Sequence, residues 1–357
     1  MSTSLADLVH AAASGAPGTV RHAARLMSIL SDAPHRLPEV FHAAQADPVS
    51  AERLSLPKLL VGITGAPGSG KSTLTDALVR EYRRRQPDGR LGVVAVDPSS
   101  PFTGGAVLGD RVRMMRHATD PNVFVRSMAS RGHLGGLALG VKGVIRVMGL
   151  VGCDVVLVET VGVGQSEVEV AGVADLVLIV LAPGLGDSIQ LLKAGLMEIG
   201  DLFVVNKADR PDAARLHGEL LAMLRTTREG DGGHHGADGV EDEAAGDLAP
   251  WLSRRPGTLI DPRTYLVSGE HGQGIGALVD DLESLTAEYG SRWQAQRLES
   301  IEQEVRDAVV EEASRRLRET LQAPGAGRLI AQDVLRGRVS VDEAATDLLT
   351  ATARPST

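Results

Sequence analysis

Short apolar runs alternate with longer amphipathic stretches through the middle of the chain, from about residue 59 to residue 268. The runs are four to six residues long and rich in Val, Leu and Ile, which is typical of buried parallel strands. They cover residues 59–64, 91–96, 123–126, 154–159, 176–181, 202–206 and 264–268. This alternation predicts an α/β fold with a mostly parallel sheet flanked by helices, and ligands at the carboxyl ends of the strands.

Apolar residues at helical spacing dominate both ends of the chain. Near the N-terminus, Pro17 and Pro34 interrupt this spacing, which predicts two or three helices. We therefore expect an N-terminal helical extension over 1–56, a nucleotide-binding domain over 57–276 and a C-terminal helical arm over 277–357. An arm of this kind either packs back on the domain or pairs with a second subunit.

One segment inside the central region carries almost no bulky apolar residue. It covers about 228–248 and is rich in Gly, Asp and Glu, so it predicts a disordered surface insertion. His234 and His235 lie within it. Two histidines without further ligands are more typical of a solvated loop than of a metal site.

Composition narrows the functional class. Hydrophobic residues make up 43% of the 357 residues and aromatics only 3%, so the core consists mainly of aliphatic side chains. A net charge of -9 argues against general affinity for nucleic acid or anionic membranes. The single cysteine, Cys153, excludes an internal disulfide and a cysteine-rich metal cluster. No run reaches the ~18 apolar residues of a membrane span, and no signal peptide is evident, so we expect a cytoplasmic protein.

The most informative motif is a glycine-rich loop between the first apolar run and a helical stretch. It reads Gly65-Ala66-Pro67-Gly68-Ser69-Gly70-Lys71-Ser72-Thr73. Without side chains in the way, backbone N–H groups can surround a phosphate, and the positive end of the following helix adds to the field. In such a phosphate-loop (P-loop) NTPase, Lys71 would reach the β- and γ-phosphates and the Ser72 hydroxyl would hold Mg²⁺. The alternative is a strand-to-helix turn that binds nothing.

A second motif, Asn206-Lys207-Ala208-Asp209, follows a later apolar run. The Asp209 carboxylate can accept two hydrogen bonds from the N–H groups of guanine, whereas adenine presents an acceptor there. Asn206 would support the purine and the loop, and the Lys207 stem would cover the ring. Ser268-Gly269-Glu270, after the last run, would complete the base pocket with backbone N–H groups. The alternative for the motif is a helix cap after a strand.

Acidic residues follow two other runs. Glu159 ends the run 154–159, where a P-loop NTPase carries its Mg²⁺-side acid, and the Gly162 N–H would lie near the γ-phosphate. Asp97 and Asp110 are plausible direct or water-mediated Mg²⁺ partners. A strand-end cap for Asp97 and a solvated acid for Asp110 are the alternatives. Together with Ser72, these acids form the expected metal site.

In combination, these motifs resemble the methylmalonyl-CoA mutase-associated GTPases, P-loop GTPases of the metallochaperone type that escort adenosylcobalamin enzymes. The resemblance spans most of the region from 59 to 275, and the string Glu159-Thr-Val-Gly-Val-Gly-Gln-Ser-Glu167 is particularly specific. The other similar segments are residues 62–71, 96–100, 103–110, 126–136, 186–193 and 206–209.

This resemblance implies roles for particular residues. The set expected to serve phosphate and Mg²⁺ is Lys71, Ser72, Asp97, Asp110 and Glu159. Residues 162–167 would form one switch and 183–193 a second mobile element that signals to the partner mutase. Lys71, Glu159, Gly162 and Gln165 form the expected catalytic set. Gln165 is the nearby candidate for positioning water, and hydrolysis should be slow until a partner orders the switches.

The resulting hypothesis is a Mg²⁺-dependent GTPase that binds an adenosylcobalamin-dependent acyl-CoA mutase and gates cofactor loading or protects the mutase from inactivation. Adenosylcobalamin would be met only through that partner, and the C-terminal arm would form a homodimer. One alternative is a nickel-type metal-insertion GTPase, for which His133 and Cys153 are the available ligands. Another is an ATP-dependent small-molecule kinase, against which Asp209 argues.

Overall fold

A computed structural model of the chain describes residues 4–15, 18–98, 115–117, 119–130, 136–160, 172–184, 199–230, 263–322 and 326–353. Its centre is a seven-stranded sheet in the order β3-β2-β4-β1-β5-β6-β7, in which every neighbouring pair is parallel. The strands are β1 Leu59–Gly65, β2 Arg90–Pro98, β3 Val123–Ser130, β4 Cys153–Thr160, β5 Leu176–Leu181, β6 Leu202–Val205 and β7 Arg263–Leu266. The predicted α/β fold with a parallel sheet is confirmed.

Strand β1 lies at the middle of the sheet, between β4 and β5. In register, Ile63 of β1 pairs with Glu159 of β4, and Gly65 pairs with Val180 of β5. The strand order reverses direction around β1, and a crevice forms beyond the carboxyl ends of strands at such a point. The glycine-rich loop leaves β1 there, so the topology alone places it in the crevice.

Four α-helices form among the described residues that precede β1. They are α1 Leu5–Ala13, α2 Thr19–Asp32, α3 Leu37–Gln45 and α4 Pro48–Arg53. The sequence predicts two or three helices, with Pro17 and Pro34 as the interruptions. Two further prolines, Pro38 and Pro48, occupy first-turn positions of α3 and α4, where a missing N–H costs nothing. The side chains of Ser4 and Asp47 cap the N-termini of α1 and α4.

Helices α1, α2 and α3 share one apolar core with the sheet, and Leu54, directly after α4, belongs to the same core. Leu8, Leu26 and Leu30 are fully buried and belong to the same cluster as Ile145 and Met148 of α6 (Gly136–Leu150). Residues of β2, β3 and β4 complete this cluster. The N-terminal segment is thus part of the same compact unit as the sheet, and that unit extends from Met1 to Gly290.

Two more helices flank the sheet next to the crevice. Helix α5, Lys71–Arg85, begins directly at the glycine-rich loop. Helix α7, Ala213–Gly230, packs on β5 and β6 through Leu216 and Leu220. It extends three residues into the stretch for which the sequence suggested a disordered insertion, and residues 231–248 of that stretch lie outside the described ranges.

The C-terminal region is helical, as expected for the arm. Its helices are α8 Ile275–Gln322, α9 Ala326–Leu335 and α10 Val341–Ala353. A second compact unit comprises Ser291–Thr357, so the boundary between the two compact units falls within α8. Among the described helices, none combines the length and the apolar character needed to cross a membrane.

Candidate functional site

The glycine-rich loop has the backbone conformation that its glycines permit. Gly65, Gly68 and Gly70 have φ values of 137°, 78° and 88°, a region that other L-residues rarely adopt. Space is equally restrictive at both ends of the loop. A Cβ atom on Gly65 would lie 2.1 Å from the Val180 carbonyl oxygen, and one on Gly70 would lie 2.4 Å from Asn206 Nδ2. The loop therefore runs in direct contact with β5 and with the Asn206 side chain.

Substituting Gly65 with Ala should destabilise the fold strongly. We expect the free energy of unfolding to fall by about 3 kcal/mol or more, because backbone strain and the clash with β5 add together. Gly152→Ala is the matched control, since Gly152 has φ 82° but its Cβ would meet no atom closer than 3.7 Å. Urea unfolding without nucleotide should give ~1 to 2 kcal/mol for the control. Equal losses for the two variants would contradict the close contact.

Helix α5 points its N-terminus at the loop. Gly70 is its N-cap and supplies no side-chain hydrogen bond, and the first turn contains no acidic residue. The N–H groups of that turn, together with the helix dipole, form a positive site for an anion. Lys71, 6% exposed, donates from Nζ to the carbonyl oxygens of Gly65 at 2.7 Å and Ala66 at 3.1 Å. Its ammonium thus lies within the curve of the loop.

Glu159 is buried at the carboxyl end of β4 and faces the first turns of α5. Ser72 Oγ donates to Glu159 Oε1 at 2.6 Å, and Thr75 Oγ1 donates to Oε2 at 2.9 Å. The structure therefore brings Ser72 and Glu159 together, as the predicted metal site requires. Thr75 was not singled out from the sequence, although its position three residues after Ser72 puts both hydroxyls on one helix face.

The second motif is tied to the glycine-rich loop. Asn206 Nδ2 donates to the carbonyl oxygens of Ser69 at 3.0 Å and Gly70 at 3.2 Å. Its Oδ1 accepts from the Gly269 N–H at 3.0 Å. Lys207 adopts φ 60° and donates from Nζ to the Gly68 carbonyl at 2.7 Å. One asparagine thus joins the loop after β1 to the loop after β7.

Asp209 lies at the exposed edge of this arrangement, beside the loop that follows β7. Ser268 Oγ donates to its Oδ1 at 2.8 Å, and Ala208 N donates to the Val267 carbonyl at 2.9 Å. The hydrogen bond from Ser268 is the main cause that lowers the pKa of the Asp209 carboxyl below its usual value. A charged carboxylate is therefore oriented toward solvent near Gly269 and Glu270, and Glu270 is itself exposed.

A buried hydrogen bond next to the site was also missed by sequence reasoning. His117 Nε2 lies 2.9 Å from Asp76 Oδ1, and both side chains are buried. Asp76 belongs to α5, whereas His117 follows the segment 99–114 along the chain. No local pattern indicates such a pair, because the two residues meet only when α5 has packed. The contact attaches His117 to α5.

The other predicted site residues fall at the edge of the described ranges or outside them. Asp97 lies one residue before the end of β2 and is in register with Ala129 of β3. Asp110, Gly162 and Gln165 lie outside the described residues, as do His133, His234 and His235 and the part of the second mobile element that follows Gly184. Within the described ranges, no cluster of three or more His, Cys, Asp or Glu side chains is arranged to hold a metal ion.

Comparison with known proteins finds several that are similar to this chain in sequence. A probable GTPase of Mycobacterium bovis is 37% identical over 260 residues, which are 70% of this chain and 69% of that protein. The mitochondrial methylmalonic aciduria type A homolog of Caenorhabditis elegans is 38% identical over 171 residues, 47% of this chain and 43% of that protein. The chain spans about half the length of two Pyrococcus relatives that it also matches.

A solved structure and a family model also match this chain. The crystal structure of an LAO/AO transport system kinase has the same fold over 96% of both chains, with a TM-score of 0.55 at 24% identity. Residues 52–322, most of the chain, match the family described as methylmalonyl Co-A mutase-associated GTPase MeaB. The chain belongs to that GTPase family.

Proposed function

We propose that this protein is a Mg²⁺-dependent GTPase that serves an adenosylcobalamin-dependent acyl-CoA mutase. The observation that carries the GTPase part is the joining of two loops through Asn206. This connection fixes the two ends of the crevice relative to each other. One end has the N-terminus of α5, which lacks a side-chain cap, together with Lys71, and the other end has the charged Asp209. Such a crevice suits an elongated ligand with a polyphosphate at one end and guanine at the other.

The donor atoms beside the loop support Mg²⁺ as the metal. The Ser72 hydroxyl and the Glu159 carboxylate are oxygen ligands, and Mg²⁺ prefers oxygen and is held by few protein groups. When bound, Mg²⁺ would neutralise charge that develops on the transferred phosphoryl group. Ser72 would hold the ion directly, and Glu159 would orient that hydroxyl or a water of the ion. Thr75 keeps the second carboxylate oxygen in place.

The remaining described residues position the nucleotide. Lys71 would exchange its hydrogen bonds with the Gly65 and Ala66 carbonyls for the β- and γ-phosphates. The first-turn N–H groups of α5 would bind the β-phosphate, and the Asp209 carboxylate would accept two hydrogen bonds from guanine. None of these groups takes a proton from water. We infer that hydrolysis depends on the switch expected over residues 162–167, which includes Gly162 and Gln165, and that it is slow until a partner orders that switch.

The mutase partner rests on the family and on one relative. The family description names a methylmalonyl Co-A mutase, and the Caenorhabditis elegans relative is named for methylmalonic aciduria. A GTPase whose hydrolysis waits for a partner suits a protein that licenses another enzyme. We infer that GTP hydrolysis here gates cofactor loading or protects the mutase, and that cobalamin is met through that enzyme.

This partnership can be tested with purified proteins. The full chain is mixed with an adenosylcobalamin-dependent acyl-CoA mutase from the same organism, in GDP and in a nonhydrolysable GTP analogue. We expect a nucleotide-dependent complex, faster GTP hydrolysis and slower loss of mutase activity during turnover. Arg84→Ala, an exposed change on α5, should behave like the unaltered chain. Absence of a complex in both nucleotides would reject the mutase as the partner while leaving GTP binding untouched.

We also propose a homodimer through the C-terminal helices. Leu298, Val305 and Val309 are 56% to 63% exposed and recur on one face of α8. A second copy would cover that face. Val305→Asp should halve the mass in solution, whereas Ser300→Asp, which puts the same charge on the opposite face, should not. A monomeric mass for the unaltered chain would reject the dimer.

A further inference from the structure

A cavity of 220 Å³ lies at the end of the sheet opposite the crevice. Its floor consists of residues near the amino ends of β1, β2 and β4, and its walls are the second half of α5 and the start of α8. Seven lining residues are aliphatic, namely Leu59, Leu78, Leu91, Val155, Leu157, Val279 and Leu282. The cavity is larger than the ~150 Å³ that holds benzene and smaller than a typical drug site.

One phenol lines this cavity. It belongs to Tyr82 of α5, a residue that is 8% exposed. Burial, followed by the charge of Asp154, raises the pKa of the Tyr82 phenol to about 12. The hydroxyl therefore remains neutral and can donate or accept a hydrogen bond. It is therefore available to a ligand head group that enters the cavity.

The polar rim of the cavity carries more negative than positive charge. Asp154 and Glu283 both line it, whereas Lys58 is the lining residue that contributes a positive charge, and its Nζ is 2.8 Å from Asp154 Oδ1. Glu283 is paired with Arg85, which does not line the cavity: Arg85 Nη1 lies 3.4 Å from Glu283 Oε2. An anionic head group would meet two carboxylates there. A head group that donates hydrogen bonds would be stabilised by the same carboxylates.

We propose that this cavity is a second ligand site, which binds a small aliphatic molecule with a neutral or cationic head group that donates a hydrogen bond. The aliphatic walls bury the body of the molecule, while Tyr82, Asp154 and Glu283 take the head. The walls belong to α5 and α8, and both helices begin at the nucleotide crevice. The site is nevertheless separate from that crevice, so ligand and nucleotide bind together rather than compete.

Binding of three six-carbon probes to the full chain tests this proposal. The probes are 1-hexanol, hexylammonium and hexanoate, followed by calorimetry and by the NMR signals of labelled tyrosine. We expect hexanol and hexylammonium to bind and to shift the Tyr82 signal, and hexanoate to bind at least tenfold more weakly. Tyr82→Phe should weaken hexanol about fivefold, the loss expected for one neutral hydrogen bond. Saturating GDP should leave these affinities unchanged.

Two phenylalanine substitutions on α8 separate the cavity from the rest of the surface. Val279→Phe fills the cavity and should abolish binding, whereas Ala287→Phe, exposed on the same helix, should not change it. If Val279→Phe fails to fold, Thr286→Phe at the rim replaces it. The proposal is overturned if no probe binds, if hexanoate binds as tightly as hexanol, if the filled cavity retains affinity, or if GDP displaces the probes. None of these outcomes bears on whether GTP is hydrolysed.

Discussion

Lys71→Ala is expected to reduce GTP hydrolysis by at least about a hundredfold while the chain remains folded. The ammonium group lies inside the curve of the glycine-rich loop, where it can meet the negative charge that builds up on the phosphates. Removal of one such positioned donor commonly costs 10²- to 10³-fold in rate. Two loop carbonyls also lose a donor, so we expect the free energy of unfolding to fall by about 1 to 3 kcal/mol.

Single-turnover hydrolysis and urea unfolding, measured on the same preparation, separate the two effects. Arg84→Ala is the matched control, because Arg84 is a cation on the same helix whose described ion pair is with Glu81 on the surface. The control should retain the full rate. Hydrolysis by Lys71→Ala within about threefold of the unaltered chain would show that the loop does not act on phosphate.

Asp209→Asn should exchange the base preference of the site. An amide presents N–H to guanine's amino group, so one of the two hydrogen bonds is lost and a donor faces a donor. We expect GTP affinity to fall about a hundredfold, equivalent to ~2.7 kcal/mol. Xanthine carries a carbonyl in place of that amino group, so affinity for xanthosine triphosphate should rise.

Fluorescence titration with both nucleotides, and with ATP, provides the measurement. Asp212→Asn is a suitable control, since Asp212 is another exposed acid three residues further on. The control should bind GTP normally. If Asp209→Asn bound GTP as tightly as before, or if the unaltered chain bound ATP and GTP equally, the guanine assignment would be wrong.

The sheet could be predicted from the sequence because its strands are continuous apolar runs. The runs around Leu178 and Val204 are buried on both faces, so nothing polar interrupts them. Strand ends were less predictable. Strand β7 ends at Leu266, and Ser268 beyond it bonds outside the sheet: its N–H donates to the Gln273 carbonyl and its Oγ donates to Asp209. Local propensity cannot anticipate an end that a distant loop imposes.

The residues of the candidate site also fall into those that the sequence predicts and those that it does not. Lys71 and Ser72 could be identified because the spacing of the loop is itself the signal. Thr75, the tie through Asn206 and the pair of His117 with Asp76 could not. Each of these contacts joins segments far apart in the chain, and depends on how α5 is oriented against β4 and the loop after β7. Side chains that stabilise a site through contacts with its binding residues carry no sequence motif of their own.

The core that the N-terminal helices share with α6 has a consequence for how the chain can be divided. Family similarity begins at residue 52, yet the folded unit includes α1 and α2. A fragment starting at residue 52 would expose the side chains of Ile145 and Met148 as an apolar surface prone to self-association. A minimal GTPase domain should therefore be expressed together with these helices. Substitutions in them that preserve the apolar face should leave the fold intact.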